Sequence, residues 1–122
     1  MVSFIDSSSA DSATFLNEGA TYPSSDGGSM LFAGDSSAAN GIFTNEGATT
    51  ARGAGLVQFR QNATADHGIF TNDALPAEGG AVQFLDSSTA AEGTFTNNGT
   101  FREGGAAARR NSLTLPRRAM RL

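Results

Sequence analysis

The spacing of phenylalanine constrains what this chain can fold into more than any other feature. Eight of its nine phenylalanines form four pairs, and the members of every pair are 11 residues apart. Successive pairs begin 28, 27 and 25 residues apart. A spacing that returns at this period is typical of a repeat protein, in which each repeat is one building unit. The pairs are Phe4 with Phe15, Phe32 with Phe43, Phe59 with Phe70, and Phe84 with Phe95.

Other positions carry the same residue type at fixed distances from these phenylalanines. An Ala stands six residues after the first Phe of each pair, and an Asn stands two residues after the second. The segments that join one unit to the next vary in length, so fixed spacing indicates packed sides and variable spacing indicates a looped side. The Ala residues are Ala10, Ala38, Ala65 and Ala90, and the Asn residues are Asn17, Asn45, Asn72 and Asn97.

The local pattern within a unit indicates strands. Apolar and polar residues alternate in Val57-Gln58-Phe59 and in Val82-Gln83-Phe84, as in a half-buried strand, and no segment has helical spacing. Units of this size cannot bury a hydrophobic face alone and must stack on one another. The sequence therefore predicts an all-β fold, a right-handed parallel β-helix (β-solenoid) of about four coils of 25–28 residues, at residues 1–105. Two files of Phe would fill its interior, and an Asn ladder would join successive coils at a corner.

Charge divides the chain near Gly105. Residues 1–105 carry all twelve acids and three Arg, whereas residues 106–122 carry five Arg and no acid. The basic end contains no Lys and no interleaved aromatic residues, so it does not match a nucleic-acid-binding arm, and we predict a disordered tail. The chain has no Cys, and it shows neither a signal-peptide pattern nor an apolar stretch of membrane-spanning length.

The repeat resembles a known class of sequence. The pattern in "GGAVQFLDSSTAAEGTFTNNG", residues 79–99, is similar to repeats in the passenger regions of bacterial autotransporter-type and large adhesin-like surface proteins. That resemblance implies a secreted, structural or adhesive segment that is not an enzyme, located outside the cell or at its surface. It also implies a fragment of a longer array, whose partners are neighbouring repeats of the same protein, end-to-end copies of itself, a host surface or a polysaccharide. The chain differs from the class in showing no secretion signal and no membrane-anchoring barrel.

An alternative interpretation is a fragment of a parallel β-helix enzyme that acts on polysaccharides. Such chemistry needs paired carboxylates, or an acidic cluster with a metal ion, on one outward face. The positions two residues after the first Phe do not repeat an acid in adjacent units, since they hold Asp6, Gly34, Gln61 and Asp86. Only the position three after the second Phe forms an acidic column, Glu18, Glu46 and Asp73, which ends at Asn98. A solvated corner is favoured there over weak cation binding.

The remaining signals are weaker. His67, the only His, lies beside a turn Gly and is predicted to be exposed. Thr44, Thr71 and Thr96 form an outward file that could suggest ice binding, although ordinary strand propensity explains it. The sequence thus predicts no catalytic, cofactor-binding or metal-ligating residue, no cofactor and no response to calcium.

Overall fold

The computed structural model describes residues 1–49, 53–75 and 77–98, in which the chain forms eight short strands and no helix. Each sequence unit contributes one strand that ends at its first Phe and one that contains its second. Unit 1 has β1 (Val2–Phe4) and β2 (Thr14–Asn17), and unit 2 has β3 (Ser29–Phe32) and β4 (Ile42–Asn45). Unit 3 has β5 (Leu56–Phe59) and β6 (Ile69–Asp73), and unit 4 has β7 (Ala81–Phe84) and β8 (Thr94–Asn98). The predictions for residues 99–105 and for the basic tail at 106–122 lie outside the described residues.

The strands form two parallel sheets, and every unit contributes one strand to each. The strand orders are β1-β3-β5-β7 and β2-β4-β6-β8. Pairing joins equivalent residues of successive units, so that Phe4 faces Phe32 and Phe43 faces Phe70. Because each strand pairs with the strand one unit away, the fold is a β-solenoid of about three turns. The predicted all-β fold with parallel stacking is confirmed.

The two phenylalanine files fill the interior, as predicted. Rings of successive units stack nearly parallel, with centroids between 4.6 Å (Phe43 to Phe70) and 5.2 Å (Phe15 to Phe43) apart. The two files also meet edge to face within each unit, at 5.7 to 5.8 Å. Both geometries are favourable for aromatic pairs and add to the gain from burial. The four inner rings, which belong to units 2 and 3, are fully buried: Phe32, Phe43, Phe59 and Phe70.

The asparagine ladder also lies where the sequence predicted it. Asn17 donates its side-chain N–H to Oδ1 of Asn45 at 2.7 Å, Asn45 donates to Asn72 at 2.8 Å, and Asn72 donates to Asn97 at 2.8 Å. Asn45 is fully buried and also donates to the carbonyl of Ala81 at 3.2 Å. A buried amide is tolerated when its polar atoms are hydrogen-bonded. Here the side-chain N–H of the Asn in one unit bonds to Oδ1 of the Asn in the next unit.

The bridge, defined here as the residues between the paired Phe of a unit, has a regular structure that the sequence analysis missed. Isolated parallel backbone pairings of one residue each join the bridges of successive units, namely Ser9 to Ser37, Ser37 to Thr64, and Thr64 to Thr89. Each bridge contains two positions, two and seven residues after the first Phe, where the backbone is left-handed with φ between 46° and 72°. These positions hold Asp6, Gly34, Gln61 and Asp86, and Asp11, Ala39, Asp66 and Ala91.

The segments of variable length form the looped side, as predicted, and their described residues are 18–28, 46–49, 53–55, 74–75 and 77–80. In each of these segments, the Gly that directly precedes the next strand donates its N–H across the base of the loop. Gly28 donates to the carbonyl of Glu18, Gly55 to that of Glu46, and Gly80 to that of Asp73, at 2.7 to 2.8 Å. A Cβ at Gly55 would lie 2.3 Å from the carbonyl O of Asn17, and one at Gly80 would lie 2.0 Å from that of Asn45. Glycine is required there because two backbones approach each other.

Candidate functional site

The acidic column lies at the corner where the looped side begins. The carbonyls of Glu18, Glu46 and Asp73 accept the glycine N–H bonds that close the loops, so the backbone of this column is structural. Glu18 is exposed, Glu46 and Asp73 are half-buried, and Oδ1 of Asp73 accepts a hydrogen bond from Asn98 at 2.9 Å. Within residues 1–49, 53–75 and 77–98, no group of three or more acidic or His side chains could hold a metal ion.

Two of the side chains that stand two residues after the first Phe also bond to the backbone. Oε1 of Gln61 accepts the backbone N–H of Gly34 at 2.6 Å, and Oδ2 of Asp86 accepts that of Gln61 at 3.1 Å. In both cases the side chain of one unit pairs with the left-handed turn of the unit before it. Gln61 and Asp86 therefore stabilise turns of the preceding units. At the equivalent positions of units 1, 2 and 4, Asp and Gly tolerate the left-handed backbone better than most residues.

His67 is exposed, as predicted, but it lies in a cluster that the sequence analysis did not identify. Its Nδ1 lies 2.7 Å from Oδ1 of Asp66, and its Nε2 lies 3.1 Å from Oε1 of Glu92. Glu92 occupies the position in unit 4 that His67 occupies in unit 3, so the repeat register itself could have revealed the pair. Both ring nitrogens of this exposed His therefore contact carboxylates.

Apart from Asp73 at the end of β6, the outer face of the second sheet carries uncharged side chains and is partly apolar. We call it the Ile/Thr face. Ile42 and Ile69 are 43% and 44% exposed, and only unit 4 places two Thr side by side, Thr94 and Thr96. Hydroxyl and aliphatic groups can pack against a surface, but they supply no general acid or base at neutral pH. The face comprises Thr14, Ile42, Ile69 and Thr94 in one file, and Leu16, Thr44, Thr71 and Thr96 in the other.

An open groove of about 430 Å³ crosses the looped side, and the sequence analysis did not anticipate it. Its floor is formed by the glycine-rich segments of units 2, 3 and 4, and two carboxylates, Asp26 and Glu78, lie along it. Oε2 of Glu78 accepts the backbone N–H of Ala54 at 3.0 Å, so this carboxylate already holds the neighbouring loop in place. A second open groove of about 440 Å³ shares Asp26 and Gly28 with it and also contains the carboxylate of Glu18.

No helix in the described part of the chain is long and apolar enough to cross a membrane. Comparison with known proteins adds no assignment: no family model, no curated protein and no solved structure matches the sequence or the fold.

Proposed function

We propose that this chain is a structural or adhesive repeat segment of a bacterial secreted or surface protein, and that it is not an enzyme. The proposal is supported by a difference between the buried positions of the units, where the same residue types recur, and several outward positions, where they do not. The positions that recur in every unit are the stacked Phe, the Asn ladder and the small residues that pack beside them. Several outward positions instead change from unit to unit, as in Asp6, Gly34, Gln61 and Asp86. Repetition of the interior supports an extended scaffold.

The finer architecture belongs to the same proposal. We infer a right-handed solenoid, because parallel strands joined by a crossover in one sheet are right-handed in about 98% of cases. We also infer a solenoid of about four coils of 25–28 residues. The resemblance of the repeat to passenger regions supports a location outside the cell and membership in a longer array.

A display experiment tests the structural role. The segment is placed between a secretion signal and an outer-membrane barrel in a bacterial host, in the position that passenger repeats occupy. We expect folded segment at the cell surface, resistant to added protease. The matched control is Phe70→Ala, which weakens the interior and should lower the protease-resistant fraction. Retention of the unsubstituted segment inside the cell, or its degradation at the surface, would contradict the proposal.

The polysaccharide-acting enzyme is the second candidate, and the groove with Asp26 and Glu78 is the observation in its favour. Purified chain is incubated with pectin and with alginate while reducing ends and unsaturated products are measured. We expect the same background from the unsubstituted chain and from an Asp26→Asn, Glu78→Gln double variant, which keeps the groove's shape. Turnover that the double variant loses would establish the enzyme instead.

A further inference from the structure

The asparagine ladder has a direction. Asn17, Asn45 and Asn72 each donate a side-chain N–H to the ladder Asn of the following unit, and Asn97 is the last acceptor. Among the described residues, Oδ1 of Asn17 accepts no hydrogen bond and the Nδ2 group of Asn97 donates none. The first unit thus presents an acceptor and the fourth a donor, in the same register of the repeat. The two ends are complementary to each other, and neither is complementary to itself.

The backbone shows the same polarity at the first sheet. The residue after the first Phe donates its N–H to the Phe carbonyl one unit earlier: Ala33 to Phe4, Arg60 to Phe32, and Leu85 to Phe59, at 2.8 to 2.9 Å. Within the described residues, the carbonyl of Phe84 has no such donor and the N–H of Ile5 no such acceptor. A strand edge of this kind is a template for pairing with another chain.

Side chains at the turns repeat the arrangement. Oε1 of Gln61 accepts the N–H of Gly34, and Oδ2 of Asp86 accepts the N–H of Gln61. In the part of the chain that the structure describes, the N–H of Asp86 and the carboxylate of Asp6 make no such bond. Asp6 on a second copy would supply the acceptor that the turn of unit 4 lacks.

Among the described residues, the interior is also less covered in units 1 and 4 than in units 2 and 3. The rings of units 2 and 3 are fully buried, whereas Phe4, Phe15, Phe84 and Phe95 are only partly buried. Each of these end rings stacks on one neighbour of its own file. Covering the remaining ring faces would bury apolar surface with the geometry already used inside the chain.

We propose that this chain self-associates head to tail, with unit 1 of one copy stacked on unit 4 of the next. Phe4 then lies on Phe84, Phe15 on Phe95, and Asn17 on Asn97, so that the junction continues both sheets. The proposal deepens the structural role stated above and rests on it, and it supplies the partner: a second copy of the chain. Because the contact joins two different surfaces and does not close, growth is open-ended.

Residues that would face each other across the junction avoid like charges at every position except one. Stacking unit 1 on unit 4 places Ser7 on Ser87 and Ser12 on Glu92, neither of which is a like-charged pair. Only Asp6 on Asp86 brings two carboxylates together. That single repulsion provides a test, because removing it should strengthen association.

Sedimentation velocity of the full 122-residue chain over a range of micromolar concentrations measures the association. We expect a series of oligomers that grows with concentration. Asp6→Asn keeps an acceptor oxygen and removes the like charge, so its Kd should fall roughly two- to fivefold, the range of an exposed charge pair. An unchanged circular dichroism spectrum distinguishes this gain from aggregation of misfolded chain.

Ile5→Pro removes the edge donor, which pairs with nothing among the described residues, and should weaken association by about tenfold or more. Its circular dichroism and melting temperature should match those of the unsubstituted chain. Alone it should be monomeric, and mixed with unsubstituted chain it should shorten the oligomers. If Ile5→Pro instead stopped at dimers, the contact would be tail to tail and the proposal wrong. A concentration-independent monomer of the unsubstituted chain would also overturn it, including a monomer in which residues after Asn98 cover unit 4.

Discussion

Phe70 shows at the scale of one residue what the repeated spacing encodes. Its ring is fully buried between Phe43 at 4.6 Å and Phe95 at 5.0 Å, and it meets Phe59 edge to face at 5.8 Å. Phe70→Ala should lower the free energy of unfolding by roughly 3–5 kcal/mol through lost burial and a cavity. Phe95→Ala in the same file is the control, and it should lose less because Phe95 is only partly buried. Denaturant titration measures both, and a loss below about 1 kcal/mol for Phe70→Ala would contradict the assignment of this file to the core.

Asn45 carries the polar part of the same interior. It is fully buried, and it accepts from Asn17 while donating to Asn72 and to the carbonyl of Ala81. Asn45→Leu should lower the free energy of unfolding by roughly 1–3 kcal/mol, because amides on both sides lose their partners. Asn97→Leu, at the exposed end of the ladder, loses one partner and should have a smaller effect. Equal losses in a denaturant titration would show that the ladder is not the source of the stability.

Ala39 is held in a left-handed conformation, with φ of 49°, that is unfavourable for a residue with a Cβ. Ala39→Gly should therefore raise the free energy of unfolding, by up to about 1 kcal/mol, despite the greater entropy of the unfolded chain. The neighbouring Ala38 is the control, since it is fully buried and its φ is not positive. Ala38→Gly should lower stability by about 1 kcal/mol. Thermal unfolding of the two variants should show shifts of opposite sign.

The sequence predicted the residues whose type recurs and missed those whose conformation recurs. The Phe, Ala and Asn registers were recognisable because one residue type fits a buried site that is repeated in every unit. The left-handed positions hold Asp, Gly, Gln and Ala, so they have a common backbone conformation but no common residue type. The pair between His67 and Glu92 was missed for a similar reason, since different residues occupy one register.

At the scale of elements, the bridges and the looped side should tolerate changes in length very differently. Ser37 lies in a bridge, and its backbone pairs with Ser9 and with Thr64. A Gly-Ser insertion after Ser37 shifts Phe43 out of register with its neighbours and should unfold the unit or cost several kcal/mol. The same insertion after Thr21, an exposed residue of the looped side, should cost less than about 1 kcal/mol, because loop entropy grows slowly with length. Similar losses in urea for both insertions would contradict the distinction between packed and looped sides.

Strands with alternating side chains were predictable from the sequence. The one-residue backbone pairings between the bridges of successive units were not. A single paired residue such as Thr64 has no alternation around it that would indicate a strand. The groove was missed because the sequence shows where the glycines are but not that the loops fold back over the Asn corner. The close contacts at Gly55 and Gly80 depend on how successive units stack.

At the scale of the whole molecule, stability should fall from the middle towards both ends. Units 2 and 3 have neighbours on both sides and fully buried rings, whereas units 1 and 4 each pair on one side within the described residues. In a repeat protein, each unit is stabilised largely by the interfaces with its neighbours, so end units open at lower free energy. The amides of β4 and β6 should therefore exchange hydrogen more slowly than those of β2 and β8.

Native-state hydrogen exchange measures this gradient, and its dependence on concentration separates folding from assembly. In dilute samples, where sedimentation finds monomer, uniform protection across all units would contradict the gradient and would mean that the chain opens as one cooperative block. At concentrations where oligomers form, protection should rise first at the amides of Ile5 and Thr14. In units 2 to 4, the residues equivalent to Ile5 and Thr14 donate their backbone N–H to the preceding unit, as Leu85 donates to Phe59 and Ile42 to Ala13. In unit 1, an oligomer would supply the corresponding acceptors. Amides of β4 should change little, because their pairing is already complete inside a single chain.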